Sequence, residues 1–137
     1  MIPKFRGLSI DENSKGEWQY GHLIEDGGRA FIINEVVEAN EQYITIGSWC
    51  PVDPKTIGQF TGLKDKNGKE IFEKDIVDFK GRKAIVKWHG SYASFIYEFV
   101  DELQNRKTEW QPLYLSYYHF EIIGNIYENP ELLEVTE

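Results

Sequence analysis

Cysteine is nearly absent from this chain. Cys50 stands alone, so no intrachain disulfide can brace the fold, and buried apolar surface has to hold it instead. Long apolar runs are missing too, and none approaches the roughly 20 residues that a membrane-spanning helix needs. The opening Met1-Ile2-Pro3-Lys4-Phe5-Arg6 lacks the apolar centre of a secretory signal, so the expectation is a cytoplasmic chain with no membrane contact. Positive charge is scarce: 15 Lys and Arg face 23 Asp and Glu, a net charge of −8. Such a surface repels a phosphate backbone overall, which disfavours nucleic acid as a partner. The three histidines, His22, His89 and His119, show neither HxH nor HxxxH spacing, so partly buried structural histidines are expected rather than a zinc site.

Aromatic residues, in contrast, are plentiful. Four Trp, eight Tyr and eight Phe in 137 residues supply enough apolar bulk for a real core. That length suits one domain or a domain with an appended subdomain. Short alternating runs separated by Gly, Asn and Pro signals read as strands over 3–9, 17–24, 29–35 and 43–47. Asp26-Gly27-Gly28 reads as a hairpin turn, and 36–42 as a loop or one helical turn. Pro51-Val52-Asp53-Pro54 breaks the pattern, because each proline restricts the residue before it, so an extended connector is expected there. A single helical turn fits 54–58.

The densest strand signal lies in residues 57–88. Asn67-Gly68 sits between two strand-like runs, 59–65 and 69–72, and predicts a type I′ hairpin turn. The strand 75–79 and the reversal Lys80-Gly81-Arg82 follow, then a strand over 83–88 with Ala84, Val86 and Trp88 on one face. A meander this short buries its apolar side by curling, so a small SH3-like barrel is predicted over 56–90, closed by 113–128, with Trp88 inside. Later runs predict strands over 94–100, 113–120 and 120–127, with a polar surface loop over 101–111. The reading is all-β, with an N-terminal antiparallel subdomain over 1–52 and the barrel over 53–137. One integrated domain over 1–137 is the alternative division.

Residues 62–88 carry eight Lys and Arg against five Asp and Glu, so a local basic strip lies on an acidic body. Lys64, Lys66, Lys80, Arg82, Lys83 and Lys87 form that strip, interleaved with Phe60, Phe72, Phe79 and Trp88. Small barrels bind single-stranded nucleic acid with such sets. The plainer reading makes the lysines guards of exposed strand edges and the aromatics core. Asp75 and Asp78, with Glu70 and Glu73, could hold Mg²⁺ or do acid–base work. They alternate with Lys69, Lys74 and Lys80, which favours surface ion pairs. Trp49-Cys50-Pro51 offers the thiol no helix N-terminus or cation to activate it.

Three blocks carry a family resemblance. They are Pro3-Lys4-Phe5-Arg6-Gly7, then 56–77 (TIGQFTGLKDKNGKEIFEKDIV), then 122–133 (IIGNIYENPELL). Together they resemble the YopX family of phage and prophage proteins. The resemblance implies an all-β protein encoded in phage or prophage regions, with no established biochemical activity and so no catalytic, cofactor or metal residue to carry over. One position departs from the family pattern, which usually has Gly before the Asp-Ile-Val run where this chain has Lys74. A left-handed conformation there would strain a lysine. The functional expectation is a non-enzymatic accessory protein of the host cytoplasm, acting as a protein–protein interaction module on an unknown host or phage protein. A homo-oligomer remains open, as do the nucleic-acid-binding barrel and a metal-dependent hydrolase.

Overall fold

The computed structural model describes residues 4–101 and 110–134. The chain forms two compact units, one ending at Phe60 and one beginning at Thr61. Both consist of antiparallel strands and short 3-10 turns, as an all-β chain should.

The first unit holds β1 (Phe5–Leu8), β2 (Trp18–Asp26), β3 (Arg29–Ala39), β4 (Ile44–Val52) and the opening residues of β5 (Gly58–Lys64). Its strands lie in the order β4-β3-β2-β1-β5, antiparallel throughout. Ala30, Ile32 and Val52 form its buried centre, with Phe5, Leu23 and Ile57 packed around them. An isolated bridge joins Ser9 to Val52, and Ile10 N–H donates to the Pro51 carbonyl at 3.1 Å. A 3-10 turn, Pro54–Thr56, is capped by the Asp53 carboxylate, which accepts from Lys55 N–H. Two expectations yield here. Residues 36–39 continue β3 instead of turning, and Pro51 and Val52 finish β4 instead of starting a connector. Proline is tolerated in β4 because that strand ends the sheet.

The second unit holds the rest of β5, β6 (Glu70–Phe72), β7 (Asp75–Phe79), β8 (Arg82–His89), β9 (Ser94–Phe99), β10 (Gln111–Pro112) and β11 (Glu121–Asn125). Five of these make a sheet in the order β10-β9-β8-β7-β11. That sheet has two ends and does not close, so the expected barrel is replaced by an open sheet folded over one cluster. Ile71, Val77, Ala84, Val86, Tyr97, Leu113 and Phe120 are buried there, and Phe79 packs its ring edge-on to Phe120 at 5.3 Å. Alternation along β8 puts Ala84 and Val86 in this core as predicted. Trp88 shares their face but is 46% exposed. It stands at the end of β8, beyond the cluster, where its indole meets Phe95 edge-on at 4.9 Å.

Residues 113–120 also depart from the predicted strand, forming two 3-10 turns, Leu113–Leu115 and Tyr117–His119. Only Leu113 and Phe120 are fully buried in that stretch, seven residues apart, a spacing with no period of two. Most of the loop expected over 101–111 lies outside the described residues.

Buried polar side chains shape the turns of this unit. Asp65 is 5% exposed, and its carboxylate accepts backbone N–H groups from Asn67 (2.9 Å), Lys69 (2.9 Å) and Ile122 (3.0 Å). It thereby replaces the predicted type I′ turn. Gly68 N–H donates to the Asp65 carbonyl at 3.0 Å, Gly68 has φ +82°, and Asn67 keeps a negative φ. The type I′ geometry appears instead at Lys80-Gly81, with φ +52° and +88°. Asp75 accepts Phe72 N–H at 2.8 Å and closes the β6–β7 turn. Within that turn Lys74 has φ +73°, the left-handed strain that a departure from glycine implies. Asn125 accepts Tyr127 and Glu128 N–H, while Asn129 returns a carboxamide oxygen to Asn125 N–H. A Cβ at Gly124 would crowd that oxygen, so a larger residue there would displace the Asn129 side chain.

Two stability measurements check these roles. Asp65→Ala strands three backbone donors, two of them local to a turn, and should lower unfolding free energy by about 3 kcal/mol in denaturant titration; a loss under about 1 kcal/mol contradicts the role given to Asp65. Lys74→Gly should be more stable than Lys74→Ala by about 1 kcal/mol, since both lose the lysine side chain and only glycine relieves the positive φ. Equal stabilities would remove the strain from the account.

Candidate functional site

The feature that stands apart is an arm formed by residues 34–49. Strand β2 pairs with β3 only as far as His22↔Ile33. Asn34 marks the departure, its carboxamide donating to Gln19 Oε1 and to the Tyr20 carbonyl. Beyond it β3 pairs with β4 alone, and register shifts near Glu35, Val36 and Glu38 strengthen the twist of the ribbon. At the tip, Asn40 Oδ1 accepts N–H groups from Gln42 and Tyr43, an Asx-type turn.

Every residue of β3 from Asn34 on, and of β4 as far as Trp49, is exposed. Val37 is 63% exposed, Ile44 64% and Trp49 59%. Two-stranded ribbons are only marginally stable alone, and this one carries its apolar residues in solvent. Strand β4 is the terminal strand of its sheet and contains no charged residue. Edge strands that must stay unpaired usually carry lysine or another blocking charge, and β4 carries none. The acids sit on β3 and the tip, at Glu35, Glu38 and Glu41, and residues 30–54 include no Lys or Arg. Glu35 lies across β4 at Gly47, where an added Cβ would be 2.8 Å from its Oε2. Glu38 accepts the Tyr43 hydroxyl at 2.9 Å.

At the base of the arm the open edge ends where Ile10 N–H reaches the Pro51 carbonyl. Beside that closure lies a cavity of about 310 Å³ whose lining is apolar at Ile10, Ala30, Phe31, Pro51, Val52 and Pro54 and includes Arg29. Trp49 meets Phe31 edge-on at 5.7 Å, which joins the arm to the cavity wall.

The basic strip of the second unit is distributed differently. Lys64 ends β5, and Lys66, in the following turn, pairs with Glu121 at 3.8 Å. Lys80 occupies the β7–β8 turn, 5.4 Å from the Phe79 ring. Arg82 reaches Asp101 with two nitrogens, at 2.8 and 3.3 Å, and stacks 3.6 Å over Phe99. Lys87 pairs with Glu98 at 3.2 Å, and Lys83 donates to the Glu134 carbonyl at 3.4 Å. Alternation along β8 sets Lys83 and Lys87 on one face and Arg82 on the other. Of the interleaved aromatics, Phe72 is buried and Phe79 packs on the core.

Trp88 lines a groove of about 300 Å³ with Thr61, Leu63, Phe95, Leu113 and Tyr114, and no charged residue takes part. Two of its hydroxyls are engaged: Thr61 donates to the Ile71 carbonyl, and Ser94 to that of Phe95. His22 and His119 are exposed and His89 is half-buried, ring to ring with Tyr92 and Trp110. Cys50 is buried with Sγ 3.1 Å from Ser9 Oγ. Asp75 is buried and serves the Phe72 turn, and Asp78 faces Lys83 across the ladder. Among the described residues no three His, Cys, Asp or Glu side chains gather where a metal could bind.

The arm has a signature that reading by strands misses. It is a 25-residue interval without a base, enclosing a nine-residue strand without a charge. Comparison with known proteins places the whole chain in one group. The model of the family described as YopX protein matches residues 4–134. The crystal structure of protein EF1440 from Enterococcus faecalis is similar, with a TM-score of 0.61 and 32% identity, covering 98% of this chain and 99% of that one. No curated protein sequence matches the chain.

Proposed function

The chain belongs to the YopX family, and on that premise we propose that it is a non-enzymatic protein–protein interaction module. We place it among phage- or prophage-encoded accessory proteins working in the cytoplasm of the bacterial host. One observation carries this reading: a β-ribbon exposes Val37, Ile44, Ile46 and Trp49 beside an uncharged terminal strand. Exposed sheet edges recruit extended segments through main-chain hydrogen bonds, and exposed apolar side chains add the contact area. YopX is not a known enzyme family. Of the acidic group, Asp75 accepts the Phe72 N–H within a turn, and Asp78 stands opposite Lys83 in the ladder. Three cations of the basic strip, Lys66, Arg82 and Lys87, face carboxylates, which lowers their attraction for phosphate. Among the described residues no helix is long and apolar enough to cross a membrane.

A photo-crosslinking amino acid at Ile46, in chain expressed in its host, should give a discrete adduct with another protein. The same probe at Tyr118, exposed on the second unit, should not. A probe at Val37 should give the same adduct, and adding Ile44→Lys should abolish the adduct from both arm positions. Adducts from Tyr118 alone, or none from either arm position, would contradict the proposal.

A further inference from the structure

We infer that the arm's ligand is a short, basic, extended segment of another protein, added as a strand along the outer edge of β4. This rests on the interaction reading above and specifies the partner's chemistry. The edge asks for a strand, because residues 44–49 end the sheet and nothing but a further backbone in extended form can match their outward N–H and C=O groups along that length. The accepted segment is short. Six residues at about 3.3 Å each span about 20 Å, and the closure of Pro51 by Ile10 stops the ladder at the base. Beside that stop lies the cavity walled by Ile10, Phe31, Pro51 and Pro54, roomy enough at about 310 Å³ for an aliphatic or aromatic side chain of the incoming segment.

Charge selects the partner. Glu35, Glu38 and Glu41 flank the neutral edge, no Lys or Arg occurs between residues 30 and 54, and the chain carries −8. A segment alternating Lys or Arg with β-branched or aromatic residues meets this surface with opposite charge beside the arm's acids and apolar contact at Ile44, Ile46 and Trp49. A second copy fits poorly. It offers the same neutral strand but brings three more arm carboxylates, with no cation in its own arm to offset either set.

Random peptides of about ten residues, displayed and selected against the full chain at low salt, test this. The expected winners alternate basic and β-branched or aromatic residues. Their affinity should fall at least about tenfold as salt rises from about 50 to about 300 mM. It should fall similarly in the triple variant Glu35→Gln, Glu38→Gln, Glu41→Gln, and vanish in the double variant Ile44→Lys, Ile46→Lys. Three outcomes overturn the inference: no enriched sequence, enrichment of acidic or uncharged peptides insensitive to salt, or dimers of the chain that the Ile44→Lys, Ile46→Lys variant abolishes. If the Ile46 crosslink persists while selection fails, the partner's class is wrong and the interaction reading stands. If both fail, the arm is not where this protein binds.

Discussion

Strand β3 is longer than the neighbour it shares with the rest of its sheet. Past Ile33 it has β4 on one side and solvent on the other, and the properties of the first unit follow from that mismatch. A strand flanked on both sides buries its side chains, as Ala30, Ile32 and Ile33 do. A strand flanked on one side cannot, so the same β-branched composition that builds a core near the base leaves Val36 and Val37 in water further out. Bulges twist the ribbon away from a flat template, which limits indiscriminate pairing without blocking a segment that follows the twist. The absence of lysine from β4 then reads as permission for pairing, because edge strands are commonly guarded where pairing is to be prevented.

The second unit answers a different constraint. Its strands are two to eight residues long and change direction often, so many backbone N–H groups fall in turns and not in ladders. Buried carboxylates and carboxamides absorb them. Asp65 serves three donors, Asp75 serves Phe72, and Asn125 with Asn129 serves the turn after β11. Each would be costly to bury alone and is stabilising once its partners are in place. Asp75, one of the acids that look catalytic on paper, serves a turn here.

Much of this was legible in advance, and the misses share a cause. Turn chemistry located the hairpins at Gly27-Gly28 and Lys80-Gly81 and the strand 75–79 to the residue. The glycine usual in the family at the position of Lys74 pointed to a left-handed backbone there, and Lys74 has φ +73°. The errors came where tertiary context decides. Asn67-Gly68 promised a type I′ turn, but Asp65 reached three donors, one of them 57 residues away, and set a different geometry. Trp88 alternates with core residues yet lies past the cluster's end, and alternation cannot say where a core stops. Residues 113–120 are aromatic enough for a strand, but only two of them needed burial. The arm stayed hidden because exposed β-branched residues look the same in sequence as buried ones.

Amide hydrogen exchange along β4 in the isolated chain, read residue by residue by NMR, measures whether that edge is open. The account predicts alternation across residues 44–49, with the N–H groups that face β3 protected and those that face outward exchanging near the rate of unstructured backbone. Uniform protection of all these amides would show the edge already covered in the free protein and would contradict it.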